Sequence, residues 1–350
     1  MIQLLSKPAL LLLRQLARPL LSAEPRTLRA LAADLQPHDW LALSRICAAQ
    51  GTAPWVLAHC EASALPLPPP ARAVLRQGLA KTLARTLDAD RTLARIAPLL
   101  LEGPSPPCLL LKGRAVEARA YPPGVLRPCV DVDVLPHPDR AAEAVKRLTQ
   151  LGFIETARSP SGHVVTFTER DGSGVVELHH RPLCPLRFPG LASRGATADL
   201  FVRAQRGPTG WLAPDDVDHS ALLLVHLLFG LHGDLRHLAD AGMWLRAVRP
   251  DGKALAARLL DWQAARAGAA GLSEVQAFDP QAVSPETAAA LALLPADVLP
   301  ASLARRAARL AQRKQPLLPG WLDFVGVLAH LDRPLPALLR RVRPPMLDVD

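Results

Sequence analysis

The sequence is poor in aromatic residues, which make up 4% of it with a single tyrosine. A surface that reads nucleic acid by stacking bases therefore has little to work with, and nucleic acid ranks last among the expected partners. Cysteine is sparse and irregular. Cys47, Cys60, Cys108, Cys129 and Cys184 are odd in number and contain no pair two residues apart of the kind that builds zinc sites or redox dithiols. They are expected to be reduced core thiols of a cytoplasmic protein. Long apolar runs are missing too. The N-terminal stretch MIQLLSKPALLLLRQLARPLLSA is interrupted by Lys7, Arg14 and Arg18, and the apolar segment 221–231 around His226 has the length of a buried helix, so no transmembrane segment is expected. The N-terminal stretch reads as an amphipathic helix packed on the body, with a membrane-surface helix as the alternative. No internal repeat has a usable period.

What is present describes a folded protein. The 350 residues are 49% hydrophobic and 21% charged, which allows two or three packing units and excludes a disordered chain. Lysine and arginine number 41 against 32 aspartates and glutamates, a net charge of +9 that favours anionic partners such as nucleotides.

The pattern is helical to about residue 100. Leu79, Leu83 and Leu87, followed by Leu93 and Ile96, predict a helix with one buried side. The proline runs at 66–70 and 103–107 read as breakers, the first a connecting loop. CLLLK at 108–112 then gives strand, glycine turn at Gly113, and helix. CVDVDVL at 129–135 alternates strictly, with Val130, Val132 and Val134 facing one way and Asp131, Asp133 and Leu135 the other. Asp139 is expected to cap a helix that Gly152 stops. HVVTFTE and VVELHH, joined by DGSG at 171–174, predict a hairpin whose second strand carries Glu177 and His179 on one face. Beyond about 210 the chain is helical again. The expected organisation is a helical region 1–103, an α/β core 104–210 and a helical region 211–350.

The chemistry concentrates at Asp131 and Asp133. Two carboxylates at i and i+2 of a strand leave from the same face, and holding them together is costly unless a cation sits between them. Magnesium is the economical cation, with manganese as its substitute, and Glu177 offers a third carboxylate for a clamp on phosphoryl chemistry. An isolated Asp-x-Asp is more often an exposed acidic face than a site. The surrounding pattern decides between these readings.

That pattern is LLLKGRAVEARAYPPGVLRPCVDVDVLPHPD at 109–139, followed by LGF at 151–153 and VVELHHRPL at 175–183. Lys112, Gly113, Tyr121, Pro122, Arg127, Asp131, Asp133, Glu177, Leu178 and His179 match, in order, a family reading Leu-Lys-Gly, a Tyr-Pro turn, Arg, Asp-Ile-Asp, then an acid before Leu-His. The chain thus resembles the uncharacterised nucleotidyltransferase family of the polymerase-beta-like superfamily. SRICAAQGTAPWVLAHC and HLLFGLHGDLRHLADAGMWL are similar to that family's helical flanks, which carries the resemblance over most of 36–250.

The resemblance implies an α+β fold, with a small mixed sheet flanked by N- and C-terminal helices. It also implies transfer of a nucleotidyl group from a nucleoside triphosphate to an unknown acceptor. Asp131, Asp133 and Glu177 would be the metal-binding and catalytic acids. Lys112, Gly113, Arg127 and His179 would bind nucleotide, with Lys112 and Arg127 as phosphate clamps. Arg236 and Asp240 would face the cleft and help hold nucleotide or acceptor; an intrahelical pair between them is the plainer alternative. Zinc on His226 and His232 is disfavoured, since their spacing does not put both on one helix face. Two features depart from the superfamily: Lys112-Gly113-Arg114 stands where a glycine-serine turn cradles phosphates, and the third acid is glutamate rather than aspartate. Both leave open a catalytically degenerate nucleotide-binding or scaffold protein of the same fold.

Overall fold

The computed structural model describes residues 5–19, 25–101, 107–159, 161–184, 188–191, 193–208, 210–227 and 235–294. The first five helices among the described residues are α1 (Lys7–Leu16), α2 (Pro25–Ala33), α3 (Pro37–Ala49), α4 (Ala53–Ala62) and α5 (Pro69–Leu101). Proline sits in the first turn of several of them, where the missing N–H has no partner to lose. This corrects the reading of 66–70 as loop throughout, because Pro69 and Pro70 start α5.

The predicted buried stripe of α5 holds for Ile96, which is buried, and for Leu79 and Leu93, which pack against the core, and is corrected at two positions. Leu83 and Leu87 are 42% and 60% exposed, while Leu75, Thr82, Thr86, Ala89, Thr92 and Ile96 are buried. Near its start α5 approaches α3 and α4 so closely that a Cβ at Gly78 would lie 2.9 Å from the Cβ atoms of Ala48 and Ala53. Further along, Thr86 Oγ1 accepts from Cys129 N at 3.3 Å.

The middle of the chain supplies β1 (Leu109–Leu110), α6 (Lys112–Ala120), β2 (Val132–Leu135), α7 (Ala141–Gln150), β3 (Phe153–Arg158), β4 (Val164–Glu169), β5 (Val175–His179), α8 (Arg194–Arg203), β6 (Gln205–Arg206) and β7 (Leu212–Ala213). These strands form one sheet in the order β3-β4-β5-β2-β1-β7-β6. The pairs β2–β5 and β1–β7 are parallel and the others antiparallel, so the fold is the expected α+β with a mixed sheet. The β4–β5 hairpin stands as expected. Asp139 does not cap a helix: His137 Nδ1 accepts from Asp139 N at 3.4 Å to cap a single 3-10 turn, and Asp139 is exposed. Gly152, at φ +89°, does end α7.

Among the described residues five further helices follow: α9 (Asp216–His226), α10 (Leu235–Val248), α11 (Gly252–Asp261), α12 (Ala265–Phe278) and α13 (Pro285–Ala292). Two hydrophobic clusters hold the molecule together. Val132 and Val134 bury into one with Ala89 and Ile96 of α5, Leu148 of α7 and Phe167 of β4. Leu135, on the opposite face of β2, joins the other, where N-terminal residues such as Leu12 and Leu43 meet Leu223, Trp244 and Val275 of the C-terminal helices. The valine-aspartate alternation of β2 therefore separates an apolar face against α5 and α7 from a face turned toward the C-terminal helices. Cys47, Cys60, Cys108, Cys129 and Cys184 are free and buried, as expected, and burial pushes the thiols of the first three up to about 12. Among the described residues no helix is long and apolar enough to cross a membrane.

Candidate active site

The parallel pairing of β2 with β5 sets Asp133 directly opposite Glu177 and Val134 opposite Leu178. Paired positions in a sheet project from the same face, as do positions two apart on one strand. Asp131, Asp133, Glu177 and His179 consequently crowd together. β1 completes the group from the other side, since its antiparallel pairing with β2 and the bond from Leu111 N to Asp133 O (3.0 Å) deliver Lys112 beside Asp133. Lys112 adopts φ +39° and Gly113 φ 4°, ψ −94°, so the first turn of α6 is not helical where it faces the acids. A Cβ at Gly113 would lie 3.4 Å from Arg127 Nη1, an ordinary van der Waals contact.

Asp133 is the hub. Its Oδ1 accepts from Lys112 Nζ and pairs with His179 Nε2, each at 2.9 Å, and His179 Nε2 stands 3.7 Å from Glu177 Oε2. Burial alone would raise the Asp133 pKa, but Lys112 and the His179 hydrogen bond hold it well below the usual carboxylate range. Asp131 goes the other way: burial, then the charges of Asp133 and Glu177, push it up to about 6. Burial disfavours the charge on Lys112, yet Asp133 and Glu177 outweigh it and raise its pKa. His179 is likewise raised, its hydrogen bonds to Asp133 and Glu177 overcoming burial and the Lys112 charge.

The loop that leads into β2 is pinned from three sides. Trp55 of α4 donates to Leu126 O at 2.8 Å, Thr86 of α5 holds Cys129, and Arg127 reaches Asp240 of α10. The last contact gives Arg127 a partner within the protein. Arg127, expected as a bidentate phosphate clamp, commits its fork to Asp240, Nε to Oδ1 at 2.9 Å and Nη2 to Oδ2 at 2.6 Å, while Tyr121 OH donates to Oδ1 at 2.8 Å. Asp240 thereby braces α10 against the loop, and its two oxygens are occupied by Arg127 and Tyr121.

Lys112, Gly113, Arg127, Asp131, Asp133, Glu177, Arg236 and Asp240 all line one cleft of 240 Å³, and the buried His179 supports its floor through Asp133. α9 and α10 add Leu223, His226 and His237 to the wall. Sequence reasoning did not single out His237; its imidazole stands edge-on to that of His226, ring centroids 4.9 Å apart. The signal for it was the histidine density of the segment, but no fixed spacing marked the residue. His232 lies outside the described residues. The tightest group of metal-ligating atoms among the described residues is Asp133, Glu177 and His179, all within 4.8 Å of one another, whereas the expected set had Asp131 in place of His179. Asp131 lies two residues earlier, beside the cluster in the same cleft.

Residues 36–278 match the family model described as an uncharacterised nucleotidyltransferase. No curated protein and no solved structure matches the chain. The family match spans well over half of the sequence and encloses every residue of the cleft, and this chain belongs to the uncharacterised nucleotidyltransferase family.

Proposed function

We propose that this protein is a divalent-metal-dependent nucleotidyltransferase that moves a nucleotidyl group from a nucleoside triphosphate to a small-molecule, peptide or protein acceptor. One observation carries the reading: the β2–β5 register sets Asp133 against Glu177 in a cleft that also holds Asp131 and the cations Lys112 and Arg236. Asp131, Asp133 and Glu177 would hold Mg²⁺ or Mn²⁺, which supplies charge neutralisation at the transferring phosphoryl group. The donor set fits: carboxylate oxygens of Asp133 and Glu177 and a ring nitrogen of His179 lie within 4.8 Å of one another, Asp131 lines the same cleft, and acids this crowded stay ionised only with a cation among them.

The chain's own residues do the rest. Lys112 and Arg236 receive the oxygens of the triphosphate tail, a point charge and a fork respectively. Gly113 leaves the backbone open beside them. Arg127, fixed on Asp240, shapes the wall. His179 orients Asp133. The Glu177 side chain is 31% exposed against 6% for Asp133, which leaves it accessible to take the proton of an acceptor hydroxyl. In-line displacement at phosphorus asks for little beyond this positioning and neutralisation. The free, buried thiols fit a reducing, cytoplasmic setting.

Label transfer from α-labelled and γ-labelled nucleotides tests the proposal. Metal-dependent incorporation of the α-label alone, abolished by Asp133→Asn, supports it; absence of both nucleotide binding and transfer overturns it. One feature favours a second reading, a degenerate nucleotide-binding or scaffold protein: Asp133 Oδ1 is already held by two donors. Nucleotide binding without transfer, with cellular function retained by the Asp131→Ala, Asp133→Ala variant, selects that reading.

A further inference from the structure

Lys112 Nζ stands 2.9 Å from Asp133 Oδ1, its side chain is 20% exposed, and it lines the cleft that Asp131 and Glu177 share. A primary ammonium group is thus seated among three carboxylates, where a hard cation would be held. The backbone that places it is unusual. Lys112 occupies the left-handed region and Gly113 breaks the helical turn, a conformation that costs free energy and persists only where the surroundings enforce it. The pairing of β1 with β2 supplies that enforcement, and the four-carbon stem of lysine leaves the ammonium free to swing while the backbone stays fixed.

We propose that Lys112 is the built-in counter-ion of the metal site: it neutralises Asp133 until a dication arrives, and is then displaced toward the triphosphate tail. The inference rests on the nucleotidyltransferase reading and adds an exchange of partners to it. Metal entry breaks the Lys112–Asp133 ion pair and releases a cation for the phosphates. Metal and nucleotide therefore bind with positive coupling, each strengthening the other by the same factor. Removal of Lys112 has opposite effects on the two ligands, strengthening metal binding and weakening nucleotide binding.

The experiment is a Mn²⁺ titration of the full chain without nucleotide, read from loss of the free-ion electron paramagnetic resonance signal. Lys112→Met is expected to bind Mn²⁺ about tenfold more tightly than the unaltered protein, the lower end of couplings between close charge pairs. It is also expected to bind ATP more weakly when Mn²⁺ is present. Arg236→Gln removes a different cleft cation and controls for the general field, with an expected change of no more than about twofold. Equal or weaker Mn²⁺ binding by Lys112→Met, or an equal gain in Arg236→Gln, overturns the proposal. Absence of Mn²⁺ binding by all three proteins overturns the nucleotidyltransferase reading itself. Should Lys112→Met fail to fold by circular dichroism, the unaltered chain gives the answer. Labelling of Lys112 by an amine-reactive reagent, read by peptide mass spectrometry, rises when Mn²⁺ is added; labelling that stays constant or falls overturns the proposal.

Discussion

Arg127, on the loop before β2, and Asp240, on α10, form a two-pronged ion pair with only 5% and 3% of their side chains exposed. The pair sits 113 residues apart in sequence and ties the C-terminal helices to the strand that carries Asp131 and Asp133. Asp240→Ala leaves a buried guanidinium without its counter-ion and is expected to cost about 3–5 kcal/mol in chemical denaturation. Arg127→Met combined with Asp240→Leu removes both charges and is expected to recover most of that loss. A double variant as unstable as the sum of the two single ones would show that the pair is not coupled. Tyr121→Phe, which deletes one hydrogen bond to the same carboxylate, is expected to cost about 1.5–3 kcal/mol.

This brace also marks the limit of what the sequence reveals. Arg127 and Asp240 were both recognisable as cleft residues, but not as partners, because nothing local links a loop arginine to a helix so far along the chain. The acids were legible for the opposite reason: strict alternation of valine and aspartate fixes a face, and the DGSG turn fixes the hairpin that carries Glu177 and His179. β3 escaped notice because Phe153–Arg158 is largely exposed beyond its first residue and shows no alternation. β6 and β7 are two residues each, too short to carry a period. The buried face of α5 was misread in part because Gly78, Thr82, Thr86 and Thr92 share it with Leu75, Ala89 and Ile96, whereas Leu83 and Leu87 point away.

Gly78 decides how closely α5 lies on α3 and α4. Alanine in place of glycine in a helix ordinarily stabilises by about 1 kcal/mol. Here the added methyl would meet the Cβ atoms of Ala48 and Ala53 at 2.9 Å, and overpacking of this kind costs about 1–3 kcal/mol. The steric term is expected to win, so Gly78→Ala lowers the denaturation midpoint. Adding Ala48→Gly should restore it. A more stable Gly78→Ala protein would mean that the helices can part without loss.

Glu177 and Asp133 differ in burial, and that difference separates catalysis from stability. Glu177→Gln changes a side chain that is 31% exposed and is expected to leave unfolding free energy within about 0.5 kcal/mol. Loss of its charge from the reacting centre is expected to slow label transfer about 10²–10³-fold. Asp133→Asn deprives both Lys112 and His179 of a charged acceptor, so it should lose activity and about 1–3 kcal/mol of stability together. Undiminished transfer by Glu177→Gln would remove Glu177 from the proposed machinery.

His219 of α9 is fully buried against Trp244, ring centroids 4.2 Å apart, and neither ring nitrogen has a hydrogen-bond partner among the described residues. Burial lowers its pKa from 6.5 to about 3, so the folded protein holds it neutral while the unfolded chain takes up a proton below pH 6.5. A histidine whose folded pKa is depressed contributes stability above the unfolded value, and that stability is lost as pH falls from 6.5 toward 3. Between pH 7.5 and 5.5 His219 alone accounts for a loss of about 1.4 kcal/mol, one pKa unit of differential protonation. His59 and His226, also lowered by burial, add losses of the same sign, so the unaltered protein alone cannot isolate the effect. His219→Leu is expected to be about as stable as the unaltered protein at pH 7.5, because no hydrogen bond is given up. It should then lose about 1.4 kcal/mol less on going to pH 5.5. Urea denaturation of both proteins at the two pH values checks this, and parallel losses would show that His219 gains access to protons or water without unfolding.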